Sequence, residues 1–452
     1  MANPNNQFAM KAFLTKSFNP NFALFFAAIW ISLALISCGK KDPAPEPEPV
    51  YIKAVVLIKP AEKVTQTTAT LIARVVPNET GTSVAFEYRT TGTNWATFNL
   101  PTTFSGKDSI TVTYDLSDLK SGTWYGFRVK AVNKGGETIS SENNFTTGSY
   151  LRPLVTIKAA EKVKLTSATV VAKLVPNEEN TKVSFEYKTA DSNWLLKELP
   201  LTFSGKDSIK VTFDLSDLKP GTVYSFRVRA INAGGEAVST DSQFETYSVA
   251  DVDGNGYHIV TIGTQTWLRE NFRGTHYANG DPIANVTDPT TWSNLSTGAY
   301  CWYNNDPKIG EVYGGLYNWY VGSDPRGLIS GWHVPIDKEW DKLIDFLDGT
   351  LPANWARGLV AGPKVMEAGH SHWGTTQIAA TNASGFTALP NGGFEENSNT
   401  FFFAELGISS NFWSSTSMGV SALAPLISKN LCILQAGYCS KSRGFGIRLM
   451  KN

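Results

Sequence analysis

The chain is 452 residues long, room for about three domains at ~150 residues each, and its 40 Lys+Arg against 40 Asp+Glu leave no net field. That balance excludes a partner recruited by bulk charge, so nucleic acid is not expected. Aromatic residues make up 12% of the chain, and nine of the 13 Trp lie beyond residue 250, which sets the last part chemically apart.

In chain order, Lys11 and Lys16 precede an apolar run from Phe22 to Ile36. The run is short for a membrane-spanning helix and ends in small residues, the pattern of a cleaved signal peptide over residues 1–37, with Met10 as an alternative start. It closes on Leu35-Ile36-Ser37-Cys38, which resembles the lipobox of bacterial lipoproteins. The resemblance implies that Cys38 is acylated and that membrane lipid is a partner. Residues 38–52 carry GKKDPAPEPEPV after that Cys, where Pro alternating with Glu favours an extended, solvated tether. The location expected is the cell envelope. The outer membrane is favoured, because no Asp follows Cys38.

Residues 53–149 and 152–248 are two copies of one unit: Trp95 aligns with Trp194, Tyr125 with Tyr224 and Phe145 with Phe244 at a constant offset. Ser208, Lys210 and Thr212 alternate with Ile209, Val211 and Phe213, the period of a half-buried strand. Short strands at regular spacing, separated by Pro, Gly and Asn, predict an all-β sandwich in each copy. The stretch Leu218-Lys219-Pro220-Gly221-Thr222-Val223-Tyr224 resembles the corner of fibronectin type III modules. That resemblance implies that Tyr125 and Tyr224 bury their rings and bond their hydroxyls to nearby backbone. The modules read as spacers. Trp95 and Trp194 fit the cover of a sheet better than a sugar platform.

Residues 251–452 form the last domain, expected to be α+β. DVDGNGYHIVTIG reads as a turn followed by a strand with His258, Val260 and Ile262 on one face. An EF-hand loop starting at Asp251 would need Glu at its twelfth position, which is Ile262, so the Asn-Gly is a hairpin turn instead. In GWHVPIDKEWDKLIDFL, Trp340, Leu343, Ile344 and Leu347 recur at i, i+3, i+4 and i+7, predicting one amphipathic helix after a short extended segment closed by Pro335. That cassette, together with GAYCWYNNDP, YGGLYNWY, ATNASGFTALPNGG, NFWSSTS and the ending GFGIRLMKN, resembles the Fibrobacter succinogenes major paralogous domain of bacterial envelope proteins. The sequence departs from that family's pattern at Leu449, where a Cys is usual, and at ALAPLISKN, which replaces a Tyr-rich segment. VPIDKEW and GFGIR resemble more distantly the formylglycine-generating sulfatase-modifying domain and the C-type-lectin-like fold, which implies a compact, loop-rich unit whose loops carry binding.

The five His, all in this domain, show no compact metal spacing, so neither a metal nor a cofactor is expected. If Gln435 and Ala436 form a two-residue turn, Cys432 faces Cys439 at a distance open to a disulfide, leaving Cys301 as a small packed hydrophobe. No nucleophile, acid or base is arranged for catalysis, and no catalytic residue is assigned. The function expected is a non-catalytic binding or adhesion module on a β-sandwich stalk, with a glycan or a surface protein as candidate partner. The alternatives are an enzyme related to the sulfatase-modifying factors and a purely structural envelope protein. The densest aromatic stretch supplies the candidate ligand residues: Trp302, Tyr303, Asn304, Asn305, Asp306, Trp319 and Tyr320. On a strand, Trp302 facing the core would turn Tyr303 outward beside the polar turn.

Overall fold

The computed structural model describes residues 46–349, 357–375, 379–397, 400–431 and 434–452, so the signal segment, Cys38 and Cys432 lie outside the described residues. No helix among these is long and apolar enough to cross a membrane.

In the first module, strands Val55–Ile58, Ala69–Val76 and Ile110–Leu116 make one antiparallel sheet. The facing sheet runs Ala96–Asn99, Ser83–Thr90, Trp124–Asn133, Gly136–Ile139, with Asn143–Thr146 also pairing to Trp124–Asn133. The second module repeats this order with Leu154–Glu161, Ala168–Val175 and Ile209–Leu215 against Leu195–Phe203, Thr181–Lys188, Val223–Asn232, Gly235–Val238 and Ser242–Glu245. This is the fibronectin type III-like sandwich expected from the repeat. Alternation drives it: Val211 and Leu215 are buried while Lys210, Thr212 and Asp214 are exposed, so one face of the strand enters a core with Phe185, Phe226 and Val228.

The corner tyrosines behave as expected. The Tyr125 hydroxyl accepts from the Lys120 backbone N–H at 2.9 Å, the Tyr224 hydroxyl from Lys219 at 2.9 Å, and both rings are buried. Trp95 and Trp194 cover sheet faces under cations: the Arg128 guanidinium lies 4.2 Å from the Trp95 ring and Arg227 4.2 Å from Trp194. The same arginines donate Nε to Glu87 and Glu186, each at 2.5 Å. These indoles are therefore held within a polar ladder.

The last domain is joined to the stalk by a short hairpin, Val249–Ala250 with Gly256–Tyr257. The turn is tied by the Asp251 carboxylate, which accepts from Asn255 N–H at 2.9 Å and from the Tyr257 hydroxyl at 2.7 Å. A hairpin forms here as expected, but its loop is Asp251 to Asn255 with Gly254 at φ 84°, and the Gly256 of the Asn-Gly pair already lies in the second strand. Helix is sparse here: beyond Asp337–Asp348 with 12 residues, the helices among the described residues have 7 or fewer. Trp340, Leu343, Ile344 and Leu347 are the buried face of that long helix, as their spacing predicts, and the Ile336 N–H is capped by Glu339 Oε2 at 2.9 Å.

Three small sheets hold the domain. One pairs Ile259–Ile262 and Gln265–Leu268 with Met450–Lys451 and Trp332–His333, bringing both ends of the domain to the cassette. A second joins Ala284–Asn285, Ala299–Cys301 and Leu316–Tyr317. The third orders Thr400–Leu406, Asn391–Asn397, Ser409–Asn411 and Ser421–Ser428, with Leu434–Ser440 on the far side of Ser421–Ser428. Arg448 ties these parts together. Fully buried, it donates to the Leu268, Arg269 and Phe386 carbonyls at 3.0, 2.7 and 2.5 Å and, through Nη2, to Asn271 Oδ1 at 2.7 Å.

Tyr224→Phe should remove one hydrogen bond, costing ~0.5–1.5 kcal/mol and lowering the melting point of the second module by several degrees in calorimetry; an unchanged transition would mean that the hydroxyl contributes nothing. Arg448→Met leaves at least three buried carbonyls without a donor, and at ~1–3 kcal/mol for each unsatisfied group it should cost the last domain ~3 kcal/mol or more in urea unfolding. A loss below ~1 kcal/mol would show that the carbonyls find other donors.

Candidate functional site

The aromatic stretch singled out in the sequence turns out to be architecture. Trp302 to Asn305 do not form a strand: Trp302 precedes a 3-10 turn, Tyr303–Asn305, so the alternation that would have turned Tyr303 outward does not apply. Trp302 is half-buried against Gly310, where an added Cβ would fall 2.1 Å from its ring, and it meets Tyr300 edge-on at 5.2 Å. Tyr303 packs on Phe403 at 5.2 Å. Asn304 and Asn305 are exposed with φ of 53° and 56°, the left-handed region that Asn tolerates. Asp306 caps the helix Pro307–Tyr313 by accepting from Lys308 N–H at 2.9 Å. Trp319 opens a short helix, is 9% exposed and donates Nε1 to the Ser414 carbonyl at 3.0 Å; Tyr320 rests edge-on against it at 6.0 Å. The structure thus splits the seven candidates between two places, where the rings pack on neighbours, Asp306 caps a helix, and Asn304 and Asn305 make the exposed turn.

Other indoles do the same. Trp292, Trp373 and Trp413 donate Nε1 to the carbonyls of Ser442, Ala388 and Tyr317 at 2.5, 2.8 and 2.7 Å, joining segments far apart in the chain. The histidines are engaged too. His333 bridges Asn452 and Glu339 at 2.7 and 2.9 Å, His372 contacts Glu367 at 2.9 Å, and His370 contacts the Gly374 carbonyl at 2.8 Å. His276 contacts Asp253 at 2.5 Å. His258 contacts Glu270 at 2.6 Å; burial works to lower its pKa, and the bond and charge of Glu270 outweigh that and raise it.

The hairpin expected at Gln435–Ala436 is not formed. Leu434 to Ser440 is one continuous strand, with Gln435 paired to Leu426 and Ala436 to Pro425, so these two residues cannot turn the chain and bring Cys432 opposite Cys439. Cys439 is a free thiol, and Cys432 lies outside the described residues. Cys301 is buried and free, as a small hydrophobe would be, and burial pushes its pKa up.

The third sheet instead supplies a cleft of about 520 Å³. Its floor is built of side chains too small to fill it: Ala404, and Ala424 opposite Gly437. Phe402, 44% exposed, forms one wall. Two carboxylates turn into it, Glu395 and Glu405, while Glu396 pairs with Phe401 and shares the opposite face. Glu395 is held by Arg443 Nη1 at 2.7 Å, Glu405 accepts from the Ser409 hydroxyl at 2.5 Å, and Glu396 from the Ser442 hydroxyl at 3.2 Å. Burial raises the Glu395 pKa, Arg443 opposing and Glu405 adding to it. Asn411, 6% exposed, also lines the cleft. It gives both Nδ2 protons away, to the Gly392 carbonyl at 3.1 Å and the Ser409 hydroxyl at 2.9 Å, and its Oδ1 accepts from no described residue. The Nε of Arg443 is likewise without a partner among the described residues.

The expected and the observed sites are two faces of one hairpin. Phe394, Phe401 and Phe403 turn one way, toward Trp292 and Tyr303, while Glu395, Phe402 and Ala404 turn the other, into the cleft. The run Phe401-Phe402-Phe403 carried the missed signal: if it is a strand buried through its outer two rings, the middle ring must face away.

Among known families, residues 260–451 match the model of the Fibrobacter succinogenes major domain. Solved structures resemble parts of the chain. The sensor domain of the anti-sigma factor RsgI4 in Pseudobacteroides cellulosolvens is similar at 25% identity over 22% of this chain and 97% of its own, with a TM-score of 0.18. A two-domain fibronectin type III segment of chicken tenascin is 17% identical over 42% of this chain and 97% of its own, TM-score 0.18. The FN1–FN3 domains of chicken CNTN1 are 14% identical over 42% and 66%, TM-score 0.20. The chain thus carries two fibronectin type III-like modules followed, over residues 260–451, by a Fibrobacter succinogenes major domain.

Proposed function

We propose that this chain is a non-catalytic binding protein of the cell envelope, held by lipid on Cys38 at the outer membrane, whose last domain takes a glycan in the cleft beside Phe402. The observation that carries this reading is the lining: an exposed ring edge and a flat floor of Gly and Ala lie beside carboxylate and carboxamide acceptors, the pairing of apolar face and hydrogen-bonding rim that sugars require. A cleft of about 520 Å³ falls in the range of small-molecule sites, ~300–1,000 Å³. The non-catalytic reading is supported by the histidines, each of which meets a carboxylate or carbonyl in a structural contact. A C-type-lectin-like identity for the domain is favoured by the Val-Pro-x-x-x-Glu-Trp entry to its long helix and by the closing Gly-Phe-x-Arg. The two sandwiches then act as the spacer between lipid and ligand.

The cleft can be closed without disturbing the fold at Gly437, where an added Cβ meets nothing within 4 Å. Gly437→Leu should abolish capture on a glycan array while leaving the melting temperature unchanged; undiminished capture would remove the cleft from the reading. For the anchor, Cys38→Ala should leave an unprocessed precursor or release the protein to the soluble fraction. A processed, membrane-bound variant would end the lipoprotein assignment.

A further inference from the structure

The link between the second module and the last domain uses fasteners of two kinds. One kind does not change charge near neutral pH. Val249–Ala250 pairs with Gly256–Tyr257, Ser248 N–H donates to the Tyr257 carbonyl at 2.9 Å, and Arg269 Nη1 meets Glu245 at 2.7 Å. A ladder two residues long attaches the units without fixing their angle, and a half-exposed ion pair holds weakly. The other kind is His258, which follows the hairpin directly. Its Nε2 lies 3.3 Å from the carbonyl of Glu245, the last residue of the strand Ser242–Glu245 in the second module. Its Nδ1 lies 2.6 Å from Glu270 Oε1, while Glu270 Oε2 accepts from the His258 N–H at 2.8 Å. Both ring nitrogens therefore face acceptors that have no proton to give. A neutral imidazole carries one N–H and serves one of them; the imidazolium carries two and serves both.

The charged surroundings favour the same form. From the second module come Glu245, its carboxylate held by Arg269, and Tyr247, whose ring packs on His258 at 4.8 Å and so close over Gly256 that an added Cβ there would fall 2.0 Å from it. From the last domain come Glu270 and, behind it, the buried Arg448. Burial works to raise the Glu270 pKa, and the bonds and charge of His258 together with the charge of Arg448 outweigh it, so the carboxylate stays ionised. We propose that His258 is a pH-sensitive latch: protonated, it holds the last domain at one angle on the second module, and on losing a proton it frees the joint. The proton leaves from Nε2 to solvent, because Nδ1 keeps its short bond to a carboxylate. A lone pair then faces the Glu245 carbonyl oxygen, and the contact across the joint turns repulsive. The His258 pKa is raised in the folded chain, so the latch is fully closed below the ordinary His value of about 6.5 and opens as pH rises through the raised one.

Dyes on unnatural residues at Ser208, exposed in the second module, and Lys338, exposed on the long helix, report the angle in the full chain by single-molecule energy transfer. The transfer distribution should be single and narrow at about pH 5.5 and broad at about pH 9, on either side of an ordinary His titration. The midpoint of broadening should coincide with the titration of the His258 ring followed by NMR. Glu270→Gln keeps the acceptor for the His258 N–H and removes the charge, and it should move that midpoint down by about one pH unit or more. His258→Gln keeps a donor that does not titrate, and its distribution should have one width at every pH. His276→Gln, which alters the neighbouring pair with Asp253, should leave the midpoint in place. A wild-type distribution of constant width, narrow or broad, would overturn the latch. Broadening that survives in His258→Gln, or that follows His276, would place the titrating group elsewhere and overturn the assignment. A midpoint unmoved in Glu270→Gln would do the same for the Glu270 pairing.

Discussion

The buried Arg448 guanidinium is the constraint on which the last domain depends. A lone cation in a protein interior costs several kcal/mol in lost hydration, and here burial pulls its pKa down while Glu270 works against that. What makes the position tolerable is that the surroundings are already rich in acceptors. Leu268, Arg269, Phe386 and Thr387 all turn carbonyls toward it, and Asn271 Oδ1 takes both Nε and Nη2. The guanidinium also lies 4.3 Å from the Phe386 ring and 5.5 Å from that of Phe412. Arg269, Phe386 and Thr387 lie outside the strands, and Leu268 ends one. The arginine therefore does for a loop-rich interior what a ladder of N–H groups does for a sheet.

Indoles extend the same solution. Trp292, Trp319, Trp373 and Trp413 each span two distant segments with one N–H···O=C bond and a large buried face. Trp267 and Trp340 differ: their Nε1 atoms are buried without a bond among the described residues, and their rings pack on one another at 4.9 Å beneath the long helix. Their contribution is area and ring packing alone. At the junction with the stalk the device is charge, with Arg269 on Glu245 at 2.7 Å and His258 between Glu270 and the Glu245 carbonyl. Tyr247 packs on the His258 ring at 4.8 Å. The last strand of the second module is thereby bonded to the segments that flank the first strands of the last domain.

The repeat, the corner tyrosines, the hairpin at Asp251 and the amphipathic helix were legible because each is a local pattern with a period or a turn residue. The role of Trp302 to Asp306 was not. Density of aromatic residues does not distinguish rings that bind from rings that hold up a hairpin, and the strand assumed there is a 3-10 turn. Cys439 misled for a related reason. Gln435–Ala436 could turn in isolation, and only the neighbouring strand Ser421–Ser428 draws both into a continuous pairing. Arg448 was visible only as part of a family-like ending, with nothing local to announce a buried cation.

The cleft was invisible for a deeper reason: its floor consists of what is missing. Ala404, Ala424 and Gly437 attract no notice in a sequence, and they border one cleft only when pairing gathers their strands into one sheet. One of them, Ala424, falls in ALAPLISKN together with Leu426, which also lines the cleft, in the segment read from the sequence as a departure from a Tyr-rich pattern. Large rings at those positions would stand on the floor and fill the space that Phe402 and Glu395 now border. In this chain the small residues of this strand thus decide that a cleft exists and how wide it is. Resemblance locates the scaffold well for that reason, and locates a cleft made by small side chains poorly.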